Sequence, residues 1–400
     1  MKRLRHAFAG YDGWLLTAYL GLVVMGLVFV YSASADYSLY HFKDPFYLIR
    51  RQTLFAVMGV LLALGMGWVD YRRWRRWAVP AMVVSILALM VVVVEHWASG
   101  GTGRTLFGFS VQPAEFAKLA YLLYLAVWLE ARQDRLGEYE WGLWPFLMVL
   151  GLLAFLAVLE PDLSAVITFA LIGGMMFFLS GAPFGQVMTL LGLGLLVGIG
   201  GAWVLPHGRE RLMFYWAGLR DPRQSYDQVL FSLMAFARGG WLGRGLGNSL
   251  LKVTGLPLPT DDAIFAVIGE ELGILGTLLL IALFGVVLWR GMVIALGAPD
   301  VMGSLLAAGV ALWLVFEAGI NMAAVLNVIP MTGNNLPLIS SGGTNLTVSS
   351  IGIGWMLSVA RQRALKQVNE RRSLDAVVDL RRGHRRRGVS RPGRAPAAGG

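Results

Sequence analysis

Apolar residues in this chain come in long blocks rather than in the narrow stripes of a water-soluble helix. About 20 apolar residues are needed to cross a bilayer. Ten blocks meet or approach that length, at roughly residues 14–34, 48–69, 77–97, 114–131, 143–159, 163–180, 187–205, 263–289, 303–327 and 344–361. The pattern predicts an all-α polytopic membrane protein of about ten transmembrane helices. An even number of spans puts both termini on one side. Lys2, Arg3 and Arg5, the group Arg72, Arg73, Arg75 and Arg76, and the basic C-terminal stretch mark that side as cytoplasmic. One long loop, 206–262, then falls on the extracytoplasmic face. Loops of this length are functional or disordered. The run Val229–Phe236 has helical apolar spacing, which predicts order at the surface of the outer leaflet.

Composition agrees and adds one asymmetry. The chain is 56% hydrophobic and 14% charged, where a soluble domain carries about 25% charged residues. The net charge of +10 is concentrated: Arg361–Arg394 holds twelve basic and three acidic residues. A membrane domain over 1–365 and a basic, disordered cytoplasmic tail over 366–400 are expected, the tail held near anionic lipid. No basic and aromatic folded module accompanies that charge, which argues against nucleic-acid binding. The absence of cysteine excludes disulfides, thiolate metal sites and cysteine nucleophiles. There is no Walker motif, zinc-ligand spacing or Rossmann fingerprint. No dedicated metal site is expected, although a divalent cation shared with an anionic ligand stays open.

Candidate chemistry collects where loops meet spans. Asp261 and Asp262 stand at the start of the eighth span, with Glu270 and Glu271 further along it. A carboxylate in hydrocarbon costs about 2.5–3.5 kcal/mol on insertion scales, so each needs a reason. Two readings of the aspartates are open: a helix N-cap, which needs one carboxylate, or a general base at the water–lipid boundary. Glu270 and Glu271 diverge by about 100° on a helix and cannot both face one small cavity. Glu115 and Lys118 share a face at the start of the fourth span, after Pro113. They read either as an internal ion pair or as the wall of a polar cavity. Asp162 lies in the turn between the fifth and sixth spans, Arg104 in the loop before the fourth, and Pro330–Thr344 forms a polar loop before the last. Seven cations of the long loop, among them Arg211, Arg244 and Lys252, suit an anionic ligand.

At these residues the chain resembles the SEDS family of bacterial cell-wall proteins, FtsW and RodA. The motifs are Asp262-Ala263-Ile264-Phe265-Ala266 with Ile268-Gly269-Glu270-Glu271-Leu272-Gly273, Gln112-Pro113-Ala114-Glu115 with Lys118, Pro161-Asp162-Leu163, Gly245–Ser249, and Leu336–Thr344. The chain departs from the family pattern at Asp261, Ala263, Ser341 and Asn345, and Glu210–Leu212 with the long tail leans toward FtsW. The resemblance implies a peptidoglycan glycosyltransferase that polymerises lipid II outside the cytoplasmic membrane, in division or elongation. It implies Asp262 as catalytic base and Arg104, Glu115, Lys118, Asp162, Arg211, Lys252 and Ser340 as substrate contacts. A class B penicillin-binding protein transpeptidase is the implied partner, alongside other division or elongation proteins. Two rival readings are a flippase or transporter of a lipid-linked precursor and a non-catalytic division scaffold. A transporter needs its charged site near the bilayer midplane.

Overall fold

The computed structural model describes residues 10–98, 112–204 and 206–387. Among them every regular element is a helix. The helices are α1 Gly13–Phe42, α2 Tyr47–Trp68, α3 Ala78–Ala98, α4 Pro113–Ala131, α5 Trp144–Leu159, α6 Leu163–Leu179, α7 Phe184–Val204, α8 Pro206–Arg220, α9 Asp227–Gly239, α10 Ile264–Leu296, α11 Val301–Val325 and α12 Gly343–Arg387. Each of the ten predicted spans has a helical counterpart. By length and composition, Gly13–Phe42, Tyr47–Trp68, Tyr71–Ala98, Tyr139–Leu159, Ile264–Leu296 and Val301–Val325 are long and apolar enough to cross a membrane. The protein is a multi-pass membrane protein. Arg104 and the N-terminal basic residues Lys2, Arg3 and Arg5 lie outside the described residues.

α11 is the axis of the bundle. Some 72% of its apolar window is buried, against 22–50% for the other five of these helices. Small residues make this possible: Gly303, Ala307, Ala308, Gly309 and Ala311 let neighbouring backbones approach closely. It packs against α10, α4, α6 and α12, while α12 lies along α2 and α10 also meets α1 and α9. Polar residues of α11 are thereby committed to the interior.

The eighth predicted span is not one continuous helix. α10 breaks at Gly273, whose φ of 66° and ψ of −162° suit only glycine. Breaking a helix orphans carbonyls before the break and amides after it. The glycine-rich stretch after α9 supplies the missing partners. Arg244 and Gly245 N–H donate to the carbonyls of Glu270 and Glu271 at 3.0 and 2.9 Å. Ile274 and Leu275 N–H donate to the carbonyls of Gly240 and Trp241 at 2.9 and 3.2 Å. The approach is backbone to backbone: a Cβ on Gly243 would lie 2.1 Å from the Glu271 carbonyl oxygen.

The long loop is ordered, as its apolar spacing predicts, and α9 turns Val229, Ser232 and Ala235 inward. The first part of the tail differs from expectation. α12 continues to Arg387, so residues 366–387 are helical rather than disordered. Leu, Ala, Gln, Glu, Lys and Arg dominate that stretch, and no proline follows until Pro392. High helix propensity carries the helix on from the span without need of a buried face. Residues 388–400 lie outside the described residues.

Candidate active site

The loop before α10 turns tightly: Asp261 and Ala263 N–H both bond to the Leu258 carbonyl, at 3.1 and 3.3 Å. The N-cap position of α10 falls on Ala263, which makes no side-chain cap, so neither aspartate occupies it. Three contacts from elsewhere hold this loop. Ser340 Oγ donates to the Asp261 carbonyl at 2.7 Å and accepts from Leu336 N–H at 2.9 Å. Ser341 N–H donates to the Thr260 carbonyl at 2.8 Å. Asn321 Nδ2, on α11, donates to the Asp262 carbonyl at 2.9 Å and to the Asn334 carbonyl at 2.6 Å. The aspartates therefore sit on a loop pinned to the centre of the bundle.

They face a cavity of about 180 Å³, lined by Gln112, Glu115, Lys118, Asp162, Asp261, Asp262, Gly333 and Asn335 among others. Pro113 at N1 starts α4, which places Glu115 in its first turn, where the helix dipole favours negative charge. Lys118 follows one turn later and meets Glu115 at 2.7 Å. The opposite side of the ammonium meets Glu317 of α11 at 2.5 Å. Asn345 Nδ2 donates to the second oxygen of Glu115 at 3.1 Å. All three charged groups are buried. Asp162 caps α6, accepting from Ala165 N–H at 3.1 Å and from the Ser164 hydroxyl.

Arg211 stands at the rim. Its Nη1 donates to the Thr332 carbonyl at 3.2 Å. A Cβ placed on Gly333 would lie 3.5 Å from Asp262 Oδ2 and 3.9 Å from Arg211 Nη2, so a carboxylate and a guanidinium flank one small, open point. Burial pushes the Asp261 carboxyl above the usual range, and a hydrogen bond from Thr260 at 3.1 Å pulls it partly back.

Lys252 is not brought to this cavity. Its three donors go to Glu271 at 3.0 Å, Ser32 Oγ at 3.1 Å and the Gly247 carbonyl at 2.8 Å. The expected anion contact is thus corrected to an internal cation. Ser340 acts through the loop backbone rather than by lining the cavity. Glu270 is likewise spent internally, on Ser249 Oγ at 2.6 Å, Leu250 and Leu251 N–H at 3.3 Å, and Arg238 at 3.2 Å. Glu317 and Asn321 were not singled out from the sequence, and Asn345 was marked only as a departure from the family pattern. The signal for those two was available: Glu317 and Asn321 stand four apart, on one face of a largely apolar helix.

This arrangement offers a carboxylate beside open space, a fixed ion network behind it and a guanidinium at the rim. It suits removal of a proton next to an anionic group.

Comparison with known proteins gives a consistent result. The family model for FtsW, RodA and SpoVE, described as "Cell cycle protein", matches residues 13–365. A protein of Trichlorobacter lovleyi described as "Probable peptidoglycan glycosyltransferase FtsW" is 36% identical over 369 residues, covering 90% of this chain and 96% of the relative. Stage V sporulation protein E of Bacillus subtilis is 37% identical over 354 residues, covering 88% of this chain and 97% of that protein. A solved structure described as "Structural coordination of polymerization and crosslinking by a peptidoglycan synthase complex" superposes with a TM-score of 0.70 at 27% identity, over 88% of this chain and 98% of its own. The chain belongs to the FtsW/RodA/SpoVE family.

Proposed function

We propose that this protein is a peptidoglycan glycosyltransferase that polymerises lipid II on the extracytoplasmic face of the cytoplasmic membrane, in the manner of FtsW. The observation that carries the reading is the shared cavity of Asp262, Glu115, Lys118 and Asp162 with Arg211 at its rim. Asp262 takes the proton of the acceptor sugar hydroxyl. The hydroxyl oxygen bonds to the anomeric carbon of the donor, and the bond from that carbon to the diphosphate oxygen breaks. General-base assistance of this kind is worth about 10²–10⁴-fold. Arg211 faces the leaving diphosphate and stabilises its developing charge. Lys118, held between two carboxylates, keeps the cavity wall rigid.

Among the described residues no three His, Cys, Asp or Glu side chains form a group that could hold a metal ion. Arg104, outside the described residues, remains a candidate phosphate contact. A class B penicillin-binding protein is the proposed partner, crosslinking the strands made here; the complex named above joins those two activities. The family description, "Cell cycle protein", favours a role in division-type wall synthesis.

The test is purified full-length chain, with and without a class B partner, incubated with fluorescent lipid II. Glycan polymer is expected from the wild type, and about 10²–10⁴-fold less from Asp262→Asn. Polymer from both at equal rates overturns the assignment.

A further inference from the structure

The stretch 240–253, between α9 and the Asp262 loop, leaves five large apolar side chains uncovered. Trp241 and Leu242 are 70% and 78% exposed, and Leu246, Leu250 and Val253 are exposed as well. So many neighbouring apolar groups mark an interaction surface. Their position is fixed, because this stretch supplies the backbone partners of the break at Gly273. Glu270 and Glu271 bolt it down further through Ser249 and Lys252.

The break also marks a depth. Beyond it, Ile274–Leu296 runs on as helix. At 1.5 Å per residue that is about 34 Å, close to the hydrocarbon thickness of a bilayer, about 30 Å. Near the far end Arg290 pairs with Asp12, where α1 begins. Just past the break α10 exposes Leu275, Leu278 and Leu279. On a span of this length and apolarity such an exposed stripe is the expected lipid face, and Trp241 and Leu242 adjoin its upper end, since the Trp241 carbonyl is bonded to Leu275 N–H. Arg244 is exposed beside Leu242 and Leu246. Tryptophan at the membrane boundary with a guanidinium at headgroup level is the expected pattern for a segment lying in the interface.

We propose that 240–253 is a membrane-docking foot. Trp241, Leu242, Leu246 and Leu250 seat in the leaflet at the Asp262 end, and Arg244 lies at its phosphates. The bilayer is the occupant because the patch extends the lipid-facing stripe of α10 through a direct backbone bond. The foot is joined at the break to the half-helix Ile264–Leu272 that follows Asp262, so it sets the height of Asp262 above the leaflet. That consequence rests on the proposed function; the docking itself does not.

The chain has no cysteine, so Leu242→Cys or Leu246→Cys gives a single labelling site at an exposed position. The full chain, labelled with an environment-sensitive fluorophore, is placed in vesicles of phosphatidylcholine and phosphatidylglycerol. A nitroxide on the upper acyl chain is expected to quench either label about twofold or more, since an interfacial segment sits about 5–10 Å into the headgroup–acyl boundary. Leu278→Cys and Gln367→Cys serve as lipid-facing and water-facing references. Labels at both foot positions that are quenched by aqueous iodide and untouched by the lipid nitroxide overturn the proposal. That result would also turn the patch over to a protein partner. The readout needs no turnover, so it stands apart from any failure of the glycosyltransferase assignment.

Discussion

Two buried charge networks lie near the Asp262 loop, and they look alike on paper. One holds Lys118 between Glu115 and Glu317 at 2.7 and 2.5 Å. The other holds Lys252 against Glu271 at 3.0 Å, with Glu270 and Arg238 beside it. Both bury a lysine and its acids, and both draw on the sequence stretches that carry the family motifs. They differ in what lies beyond them. The first network walls a cavity of about 180 Å³ that also receives Asp162, Asp261 and Asp262. The second is consumed by Ser32, Ser249 and backbone groups, and it closes the break at Gly273. Burial of charge alone does not identify a reaction site. Open space beside the charge does.

The largest expected effect falls on the open side. Asp262→Asn keeps shape and removes basicity, so polymerisation should drop by about 10²–10⁴-fold with the melting temperature in detergent unchanged. Asp261→Asn should lose far less, because the Asp261 carboxylate is engaged by the Thr260 hydroxyl at 3.1 Å and is not the group assigned the proton. Fluorescent lipid II turnover by the two variants decides the matter. Near wild-type polymer from Asp262→Asn, or loss only in Asp261→Asn, breaks the assignment.

On the closed side the loss should appear in stability. Glu271→Gln leaves Lys252 buried beside a neutral group, and breaking a buried pair costs about 3–5 kcal/mol. Pairing Glu271→Gln with Lys252→Met removes the stranded charge and should recover much of that. Thermal unfolding in detergent is the measurement. If Glu271→Gln melts like the wild type but fails to polymerise, the clamp belongs to the chemistry and the contrast between the networks collapses.

The helices were legible in the sequence because the bilayer imposes both length and apolarity, and each of the ten blocks became a helix. The Asp262, Glu115 and Lys118 grouping was legible because charge in such blocks needs a cause. Lys252 was misread: its fate depends on Ser32, 220 residues away, and linear spacing carries no trace of that contact. The break at Gly273 was hidden for a similar reason, since a glycine inside an apolar run signals nothing until Gly240–Gly245 arrives to satisfy the backbone. Residues 366–387 were expected to be disordered and are helical, because their charge drew more weight than their helix propensity.

The next effect sharpens the first network. Lys118→Met should reduce polymerisation and stability together, since it leaves Glu115 and Glu317 facing each other without a cation. A charge swap, Glu115→Lys with Lys118→Glu, would restore a simple pair. Here it should fail, because the new carboxylate would meet Glu317 where Lys118 now lies at 2.5 Å. Adding Glu317→Gln to the swap should recover stability by about 1–3 kcal/mol, the scale on which an unsatisfied buried polar group is felt. Recovery by the swap alone would show that Glu317 does not belong to the network.

The smallest effect compares two serines of similar chemistry. Ser340 Oγ donates to the Asp261 carbonyl at 2.7 Å and accepts from Leu336 N–H. Ser249 Oγ donates to Glu270 at 2.6 Å and accepts from Lys252 N–H at 3.3 Å. Both are buried. Replacing either with alanine removes one hydroxyl and should cost about 1 kcal/mol of stability, somewhat more at Ser249 because its acceptor is a carboxylate. Turnover should separate them. Ser340→Ala frees the loop that positions Asp262, and about 1 kcal/mol of lost positioning corresponds to about a fivefold lower kcat. Ser249→Ala loosens the clamp but leaves the cavity wall as it was, so kcat should hold within about twofold. The pair is read by measuring melting temperature and kcat on the same preparations. Equal losses of kcat in both variants would mean that the clamp and the cavity are one mechanical unit, with the break at Gly273 transmitting between them.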